Sequence, residues 1–348
     1  MKVQAIGLMS GTSLDGLDIC FASFEKKDSS WAFHILNAKT FPYSSEWEEK
    51  LRNSVHLSSE DLLELHSEYG FYIGRLVKEF IEKNQLDNIS LIASHGHTVF
   101  HQPQKKFTLQ IGDGRAIKIE TELPVIYDFR SQDVLMEGNG APLVPIGDHL
   151  LFSEYDACLN LGGFSNISLQ KNGKRIAFDI APVNIVLNRL AQKSGKHFDE
   201  NGDLARKGVI SETLLSQLNT LDFYQQPHPK SLGIEWCYEY IFPALESIDV
   251  SDALATFTEH AALQIAAVIN ESTIKNILVT GGGAYNTFLI EKIKAKTKSE
   301  IIIPEKEIIE YKEALIFAFM GVLRMNNEVN VLSSATGSTA DHSSGITA

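Results

Sequence analysis

Residues 6 to 18 read IGLMSGTSLDGLD and predict two strands joined by a turn of small residues. The apolar run Val3 to Met9 has strand character, and a second β-rich run extends from Ile19 to Phe24. Glycine lets a backbone approach a bound group closely, and hydroxyls add hydrogen-bond donors, so this hairpin tip suits a phosphate chain. An ordinary β-turn is the alternative for the tip taken alone.

Two acidic residues, Asp15 and Asp18, stand in and after this turn. A carboxylate has the wrong charge for direct contact with a phosphate. Beside a triphosphate these residues would act through Mg²⁺, or through a hydroxyl or a water molecule. The sequence therefore suggests a role for Mg²⁺ but does not assign its ligands, and solvated acids are the alternative.

The bulk composition limits the class of protein. A chain of 348 residues exceeds what one hydrophobic core usually organises, so we expect two domains. The formal charge of -13 and the pI of about 5.3 argue against nucleic acid or an anionic membrane as partner. Cys20, Cys158 and Cys237 lack metal spacing and predict a reduced, cytoplasmic protein. Without a long apolar run or a basic leader, we expect no membrane span and no secretory signal.

The second half of the sequence repeats the pattern of strands and glycine turns seen in the first half. Residues 157 to 169, ACLNLGGFSNISL, predict strand, Gly-Gly turn and strand, and a third strand from Arg175 to Phe178 ends on Asp179. A buried strand at 276 to 280 then runs into GGGAYN at 281 to 286, with a helix behind it. Such a turn lets an adenine and its ribose lie on bare backbone and presents helix N–H groups to anions.

Two further strand ends carry polar side chains. His95-Gly96-His97-Thr98 follows a buried strand, where zinc is one possibility and a ligand-facing loop is the interpretation we favour, with Thr98 as a hydrogen-bonding residue. Arg130 could hold a carboxylate bidentately, or it could pair structurally with Asp128 or Asp133. These residues are the candidates for contact with a substrate.

Glycines and prolines cluster in EGNGAPLVP at 137 to 145, as a joint between domains would need. We therefore expect an N-terminal domain at residues 1–130 and 312–348, which carries the first phosphate hairpin. The C-terminal domain is expected at residues 131–311, with the second hairpin and the adenosine-binding GGG turn.

Two βββαβα-like halves, each opening with a glycine-containing hairpin, resemble the superfamily that holds actin, the heat-shock chaperone ATPases and hexokinase. In that superfamily two hairpins clasp the phosphates and a late GGG turn carries the nucleoside. The resemblance implies an α/β fold with two actin/hexokinase-like (ribonuclease H-like) βββαβα domains and an interdomain ATP cleft.

A more specific set of motifs covers essentially the whole chain in order. They are GLMSGTSLDGLD at 7 to 18, HGHTVFHQP at 95 to 103, LQIGDG at 109 to 114, DFRSQD at 128 to 133, GAPLVP at 140 to 145, NLGGFSNIS at 160 to 168, FDIAPVN at 178 to 184, FDENGDLARKG at 198 to 208, PKSLG at 229 to 233, DALATFTEHAA at 252 to 262, GGGAYN at 281 to 286, EALIFAFM at 313 to 320 and TG at 336 to 337. In these motifs the sequence resembles the anhydro-N-acetylmuramic acid kinase family, for which MSGTSLDG is highly specific.

The sequence departs from the family pattern at three places. His97 stands where the family usually has glutamine, and Glu137 stands where it has an extra glycine. Residues 179 to 184 read DIAPVN where the family has DTGPGN. The last change replaces a threonine and two glycines beside Asp179 by larger apolar residues, which questions the room left for the family's substrate.

The resemblance implies a reaction in which ATP phosphorylates O6 of 1,6-anhydro-N-acetylmuramic acid while water opens the anhydro bridge at C1. The product, N-acetylmuramic acid 6-phosphate, belongs to murein recycling. Asp179 is then the catalytic base that takes a proton from the water. Its alternative role is to cap the helix predicted at 183 to 192.

The same resemblance assigns the other site residues. ATP phosphates and Mg²⁺ would be bound by Gly11, Thr12, Ser13, Leu14, Asp15, Gly16, Leu17 and Asp18. The second clasp would be Gly162, Gly163 and Asn166; the nucleoside would lie on Gly281, Gly282, Gly283 and Asn286; and Thr98, Arg130 and Glu313 would face the sugar. Arg130 suits the lactyl carboxylate, and Glu313 suits a sugar hydroxyl or, alternatively, an ion pair with Lys312 or Arg324. A homodimer is also implied.

Two other functions stay open at this point. In a plain sugar kinase, Asp179 would deprotonate an acceptor hydroxyl instead of water. A non-catalytic nucleotide switch or filament protein, as actin is, would need no catalytic base. Against the switch, the sequence shows neither a peptide-binding β-domain nor a filament-specific insertion.

Overall fold

The structure is a computed structural model that describes residues 2–11, 14–28 and 30–348. The chain divides into unit 1, Met1–Phe152 with Tyr311–Ala348, and unit 2, Ser153–Glu310. The first boundary therefore lies after Phe152 and not at the predicted residue 130, so the glycine and proline cluster at 137 to 145 belongs to unit 1.

Side-chain contacts explain why the segment after residue 130 stays with unit 1. The Thr336 hydroxyl donates a hydrogen bond of 2.7 Å to the buried carboxylate of Asp133. The Lys312 ammonium forms an ion pair of 2.6 Å with Asp148, and both side chains are almost fully buried. Glycine and proline content alone could not reveal these long-range contacts.

The strands and helices follow the predicted order. In residues 2 to 152 they are β1 Lys2–Ser10, β2 Gly16–Lys27, β3 Ser30–Pro42, α1 Ser45–Asn53, α2 Ser59–Lys83, β4 Leu91–Ser94, β5 His97–Gln102, β6 Phe107–Ile111, α3 Gly114–Thr121, β7 Val125–Tyr127, α4 Ser131–Leu135 and α5 Pro145–Leu150. In the rest of the chain they are β8 Ala157–Leu161, β9 Phe164–Lys171, β10 Lys174–Pro182, α6 Asn184–Gln192, α7 Glu212–Asn219, α8 Ile234–Trp236, α9 Val250–Glu271, β11 Asn276–Thr280, α10 Thr287–Lys294, β12 Glu300–Ile302, α11 Lys306–Met325, α12 Ser333–Thr336 and β13 Ile346–Thr347.

The two main sheets share a five-stranded topology, to which unit 1 adds β13, antiparallel to β7. In unit 1 the strand order is β13-β7-β4-β1-β2-β3, and in unit 2 it is β10-β9-β8-β11-β12. In each unit three antiparallel strands form a meander, and two strands parallel to the first follow on its other side. Parallel neighbours need a crossover, which helices supply. The predicted fold class, α/β with two βββαβα domains, is confirmed.

Helix α9 shows how the sequence pattern creates the core of unit 2. Its apolar stripe recurs at helical spacing, and the members of the stripe are buried, namely Leu254, Phe257, Ala261, Ile265 and Val268. They belong to a core cluster with strand residues such as Leu159, Ile167 and Val279. No helix among the residues that the structure describes combines the length and the hydropathy needed to cross a bilayer.

In unit 1, Gly7 of β1 lets helix α11 pack closely against the sheet. A Cβ atom at Gly7 would lie 1.8 Å from the carbonyl oxygen of Ala314 and 2.7 Å from the nitrogen of Ala318. Gly321, one turn further along α11, similarly lies against Ala93 of β4, where an added Cβ would approach the Ala93 Cβ to 2.7 Å. This packing holds the part of α11 that follows Glu313 against the sheet.

Gly7→Ala is expected to lower the free energy of unfolding by about 1–3 kcal/mol, because overpacking of this kind forces backbone or side chains to shift. Gly163→Ala is the matched control, since its added Cβ would meet only the Cβ of Ile185, at 3.8 Å. Thermal unfolding followed by circular dichroism measures both variants. Equal melting temperatures for the two variants would contradict the packing argument.

Candidate active site

The first hairpin tip joins β1 to β2, whose register pairs Met9 with Asp18. Thr12 and Ser13, both predicted to bind phosphate, lie outside the described residues. Leu14 and Leu17 are 7% and 1% exposed and belong to the unit 1 core, so only their backbone could face a ligand. The Leu14 N–H donates a hydrogen bond of 3.4 Å to the Gly11 carbonyl.

The two acids of this hairpin differ in environment. Asp15 is exposed, whereas Asp18 is half-buried on β2 and accepts a hydrogen bond of 2.6 Å from the Thr40 hydroxyl. Among the described residues, no group of three His, Cys, Asp or Glu side chains is arranged to hold a metal ion. One or two carboxylates together with substrate phosphates are, however, the usual surroundings of Mg²⁺.

The base of the first hairpin is held by a chain of hydroxyls. Tyr69 and Tyr43 share a hydrogen bond of 2.6 Å, and the Tyr43 hydroxyl donates to Ser10 Oγ at 2.8 Å. Ser10 Oγ in turn lies 3.2 Å from His97 Nδ1. Burial lowers the pKa of His97 to about 4, so the ring is neutral at physiological pH. His97 thus makes a polar contact that the glutamine usual in the family could also make.

In unit 2, strand pairing places three polar residues in one row. Asn160 of β8 pairs with Asn166 of β9, and Asn166 pairs with Asp179 of β10. Thr280 of β11 pairs with Asn160 and extends the row. Residues directly opposite one another project from the same face, with Cβ atoms roughly 5 Å apart. Asp179 therefore lies beside the Asn166 amide, and Asn160 follows one strand further along the row.

Asp179 lies within β10 and not at its end, because the strand continues to Pro182. The prediction that the strand ends on Asp179 is therefore wrong. A bulge falls between Asp179 and Ala181, since Ile180 has no partner on β9. The Ser165 hydroxyl stabilises it by accepting from the Ala181 N–H at 3.1 Å and donating to the Ala181 carbonyl at 2.9 Å. Bulges re-aim the neighbouring side chains.

The carboxylate of Asp179 is half-buried, and desolvation raises its pKa above the ordinary value for aspartate. The Leu232 N–H donates to Oδ2 at 2.9 Å, which opposes this shift. Helix α6 has Val183 at its N-cap and no side-chain cap, so the alternative role of Asp179 as a helix cap is wrong. A carboxylate with a raised pKa and one anchored oxygen is suited to act as a general base.

The apolar residues that replace the family's threonine and glycines turn away from Asp179. Ile180, Ala181 and Val183 are at most 1% exposed and belong to the hydrophobic core of unit 2. Because they fill the core, they do not occupy the space in front of the Asp179 carboxylate. The sequence departure is compatible with a polar ligand beside this aspartate.

The Gly-Gly turn of the second hairpin contacts the start of α6. The Gly163 carbonyl accepts from the N–H groups of Val183, at 2.8 Å, and Ile185, at 3.2 Å, while the Gly162 carbonyl accepts from Asn184 at 3.2 Å. An added Cβ at Gly163 would meet no protein atom closer than 3.8 Å. The fold itself does not require glycine at position 163, which leaves close approach of a ligand as a reason for it.

The GGG turn lies directly against the second hairpin. Gly281 has a φ of 81°, and a Cβ there would lie 2.4 Å from Asn160 Oδ1. A Cβ at Gly283 would lie 2.7 Å from the Leu161 Cβ, whereas Gly282 is open, with its nearest atom at 3.7 Å. Asn286 caps α10, because its Oδ1 accepts from the Leu289 N–H at 3.0 Å. Its amide NH₂ is the group that could still contact a nucleoside.

In unit 1, Arg130 is anchored by neutral partners and not by the acids that the sequence suggested. Its Nε donates to His95 Nε2 at 2.9 Å, and its Nη1 donates to the Gly140 carbonyl at 2.7 Å. Burial holds the pKa of His95 well below its usual range, so the ring is neutral and can accept. With these two acceptors among the described residues, three of the five guanidinium N–H donors remain for a ligand. Desolvation lowers the pKa of Arg130 to about 10, while Glu313 and Asp133 act in the opposite direction.

Thr98 and Glu313 take different positions in unit 1. Thr98 lies on β5 and accepts a hydrogen bond of 3.3 Å from Gln110. Glu313 lies on α11, is exposed, and is close enough to Arg130 to affect its pKa. The structure thus places Glu313 within electrostatic range of Arg130. The His95 ring packs against Phe317, one turn further along α11, with centroids 4.8 Å apart and planes tilted by 49°. Both ring nitrogens have protein partners, since Nδ1 lies 2.9 Å from the Gly96 carbonyl and Nε2 accepts from Arg130.

Sequence reasoning missed three functional candidates, Asn160, His95 as an anchor of Arg130, and the Leu232 N–H. Asn160 had a readable signal, because it stands two residues before Gly162 at the end of a predicted strand. The other two had none, since they depend on contacts across 35 and 53 residues of sequence. Unit 2 thus offers a general base, amide donors and open glycine turns, and unit 1 offers a cationic group.

Comparison with known proteins agrees with this chemistry. A family model described as "Anhydro-N-acetylmuramic acid kinase" matches residues 3–347. Curated proteins of that name from Haemophilus influenzae and Francisella tularensis subsp. novicida are 34% and 32% identical to the chain; the alignments cover 97% and 95% of the chain and 96% and 95% of the relatives. One from Clostridioides difficile is 32% identical, over 96% of the chain and 95% of its own length. The chain therefore belongs to the anhydro-N-acetylmuramic acid kinase family.

Proposed function

We propose that this protein is an ATP-dependent kinase that opens the 1,6-anhydro ring of 1,6-anhydro-N-acetylmuramic acid with water and phosphorylates O6. The product is N-acetylmuramic acid 6-phosphate, and the reaction serves murein recycling. Family membership gives the substrate. The observation that carries the mechanism is the row of Asn160, Asn166 and Asp179 beside the Gly-Gly turn.

The reaction moves one proton and exchanges two bonds. Asp179 takes a proton from a water molecule, and the water oxygen attacks C1 of the sugar. The C1–O6 bond breaks as O6 bonds to the γ-phosphorus, and ADP leaves. Since the Leu232 N–H occupies Oδ2 of Asp179, we assign Oδ1 as the oxygen that receives the proton.

The glycine turns are proposed to bind the nucleotide. Gly162, Gly163 and Asn166 would contact phosphates, and Gly281, Gly282, Gly283 and Asn286 would contact the nucleoside. The first hairpin, in unit 1, would also bind phosphates of ATP, through the residues from Gly11 to Asp18. Mg²⁺, held by Asp18 with the phosphates, would neutralise charge on the transferred phosphoryl group.

The sugar is proposed to contact Thr98, Arg130 and Glu313. Arg130 keeps three N–H donors after binding His95 and Gly140, enough for a bidentate contact with the lactyl carboxylate. Glu313 lies near Arg130 and is exposed, so it can accept a hydrogen bond from a sugar hydroxyl. These contacts would hold the sugar while Asp179 activates the water.

We further propose a cytoplasmic homodimer whose partners are ATP and the amino sugar, without nucleic acid or membrane. All three cysteines are buried thiols, which suits a reducing compartment. The negative net charge of -13 disfavours binding to nucleic acid or to anionic lipid. Sedimentation equilibrium of the purified protein tests the oligomeric state.

The purified protein, incubated with ATP, Mg²⁺ and 1,6-anhydro-N-acetylmuramic acid in ¹⁸O-water, is expected to release ADP and a sugar phosphate. Mass spectrometry immediately after turnover should find ¹⁸O at the anomeric carbon, because water attacks C1. Asp179→Asn should lower kcat by about 10²–10⁴, the usual contribution of a general base.

The controls separate this proposal from its alternatives. Absence of sugar phosphate with the wild-type protein would overturn the proposed function. A phosphorylated product without the label would favour a plain sugar kinase, in which Asp179 deprotonates a hydroxyl. Asn keeps the size of Asp179 and can still accept from Leu232, so a loss of activity reports the lost base and not a lost fold.

The pH dependence should report the raised pKa of Asp179. The base works only when it is unprotonated, so kcat/KM is expected to fall as the pH drops through this pKa. Because desolvation raises the value above that of an ordinary aspartate, the fall should be centred above pH ~4. Initial rates at saturating ATP measure the profile, with circular dichroism at each pH as the control for folding. A flat profile down to that pH would contradict the assignment.

Gly163→Ala and Gly282→Ala are expected to raise the KM for ATP severalfold without lowering the melting temperature. Both glycines have φ outside the left-handed region, and an added Cβ would meet its nearest protein atom at 3.8 and 3.7 Å. The methyl group would therefore obstruct only a bound ligand. Steady-state kinetics and thermal unfolding test the pair, and an unchanged KM for ATP in both variants would argue against nucleotide binding there.

A further inference from the structure

The segment His228 to Leu232, called here the 228–232 segment, runs beside β10 where Asp179 lies. The Asp179 N–H donates to the Lys230 carbonyl at 2.9 Å, and the Leu232 N–H donates to Asp179 Oδ2 at 2.9 Å. Strand β10 is at the edge of its sheet, so its outer side has room for this segment. The segment holds both the backbone and the side chain of the proposed base.

A ring contact joins the same segment to the residue before Asp179. The imidazole of His228 stacks on the Phe178 ring, with centroids 3.8 Å apart and planes 16° from parallel. Phe178 is 5% exposed and belongs to the unit 2 core. Since neighbouring strand residues face opposite sides, the segment is anchored on the core side while it binds the carboxylate.

The Lys230 side chain connects the segment to the rest of unit 2. Its Nζ donates to the Phe223 carbonyl at 2.9 Å and to the Tyr224 carbonyl at 3.5 Å, and it lies 4.4 Å from the centroid of the Phe223 ring. Tyr224 is itself fixed, because its hydroxyl lies 2.8 Å from His260 Nε2 on α9. His260 Nδ1 lies 2.7 Å from Asn219 Oδ1.

We propose that Lys230 is a positioning residue for the catalytic base. Its ammonium group ties the 228–232 segment to residues 223 and 224, and the segment then fixes the direction of the Asp179 carboxylate through the Leu232 N–H. Lys230 acts through Asp179, and this inference rests on the proposed function. It gives a role to the PKSLG motif at 229 to 233, which contains none of the assigned site residues.

Kinetics of Lys230→Met test this role. Methionine keeps an unbranched apolar side chain but removes the three donors and the charge. The kcat is expected to fall about tenfold or more, because a small displacement of a catalytic group can cost as much as ~10²-fold. The KM values for ATP and for the sugar are expected to stay within twofold of wild type, since Lys230 binds neither substrate.

Two matched variants complete the kinetic test. Lys230→Arg keeps cationic donors and is expected to recover part of the lost kcat. Lys171→Met makes the same charge change on an exposed lysine at the end of β9, which lines a surface cavity together with Lys230. Its kcat is expected to equal that of wild type. An unchanged kcat in Lys230→Met, or an equal fall in Lys171→Met, would overturn the proposal.

Hydrogen exchange in the absence of substrates gives a readout that does not depend on catalysis. In Lys230→Met the peptide covering residues 228 to 232 should exchange faster than in wild type. Asp179→Ala should also accelerate it, because the Leu232 N–H loses its acceptor, whereas Asp179→Asn keeps an acceptor oxygen and should preserve protection. Unchanged exchange in Lys230→Met overturns the proposal. A wild-type protein without kinase activity would instead overturn the proposed function. The exchange data would still show whether Lys230 holds the 228–232 segment in place.

Discussion

The register of the three antiparallel strands β8, β9 and β10 is the constraint on which the candidate site of unit 2 depends. It sets Asn160, Asn166 and Asp179 opposite one another, while Phe178 and Ile180 on either side of the aspartate enter the core. Side chains alternate along a strand, so a slip by one residue would bury the carboxylate and expose the apolar neighbours. Burial of Phe178 and Ile180 therefore enforces the position of the proposed base.

Glycines in this protein serve two physically different purposes. At Gly7, Gly281 and Gly283 a Cβ would collide with backbone or side-chain atoms, so packing of the fold requires the absence of a side chain. At Gly163 and Gly282 the protein leaves room for a methyl group. Close approach of a ligand to the backbone would explain glycine at these two positions. This explanation agrees with membership of a family named for a kinase activity.

Buried polar networks position the charged groups in both units. In unit 1, Arg130 is held by His95 and by the Gly140 carbonyl, and the Gly140 N–H donates to Asp133 at 2.7 Å. Asp133 also accepts from Thr336, which connects the arginine to the C-terminal TG motif. In unit 2, the contacts of the 228–232 segment hold Asp179 similarly. A charged group that is held before a ligand binds needs less reorganisation when it binds.

The sequence by itself determined the order of strands and helices and the doubled βββαβα fold. It also determined the Gly-Gly turn, the GGG turn and the identity of Asp179 as the candidate base. Those features follow from local patterns: apolar periodicity, glycine in turns, and motifs that stand in family order. Tertiary structure decided the unit boundary after Phe152, the bulge that continues β10 past Asp179, the anchoring of Arg130 by His95, and the contact of Leu232 with the base. Each of these depends on hydrogen bonds or packing between residues far apart in sequence, which no local pattern encodes.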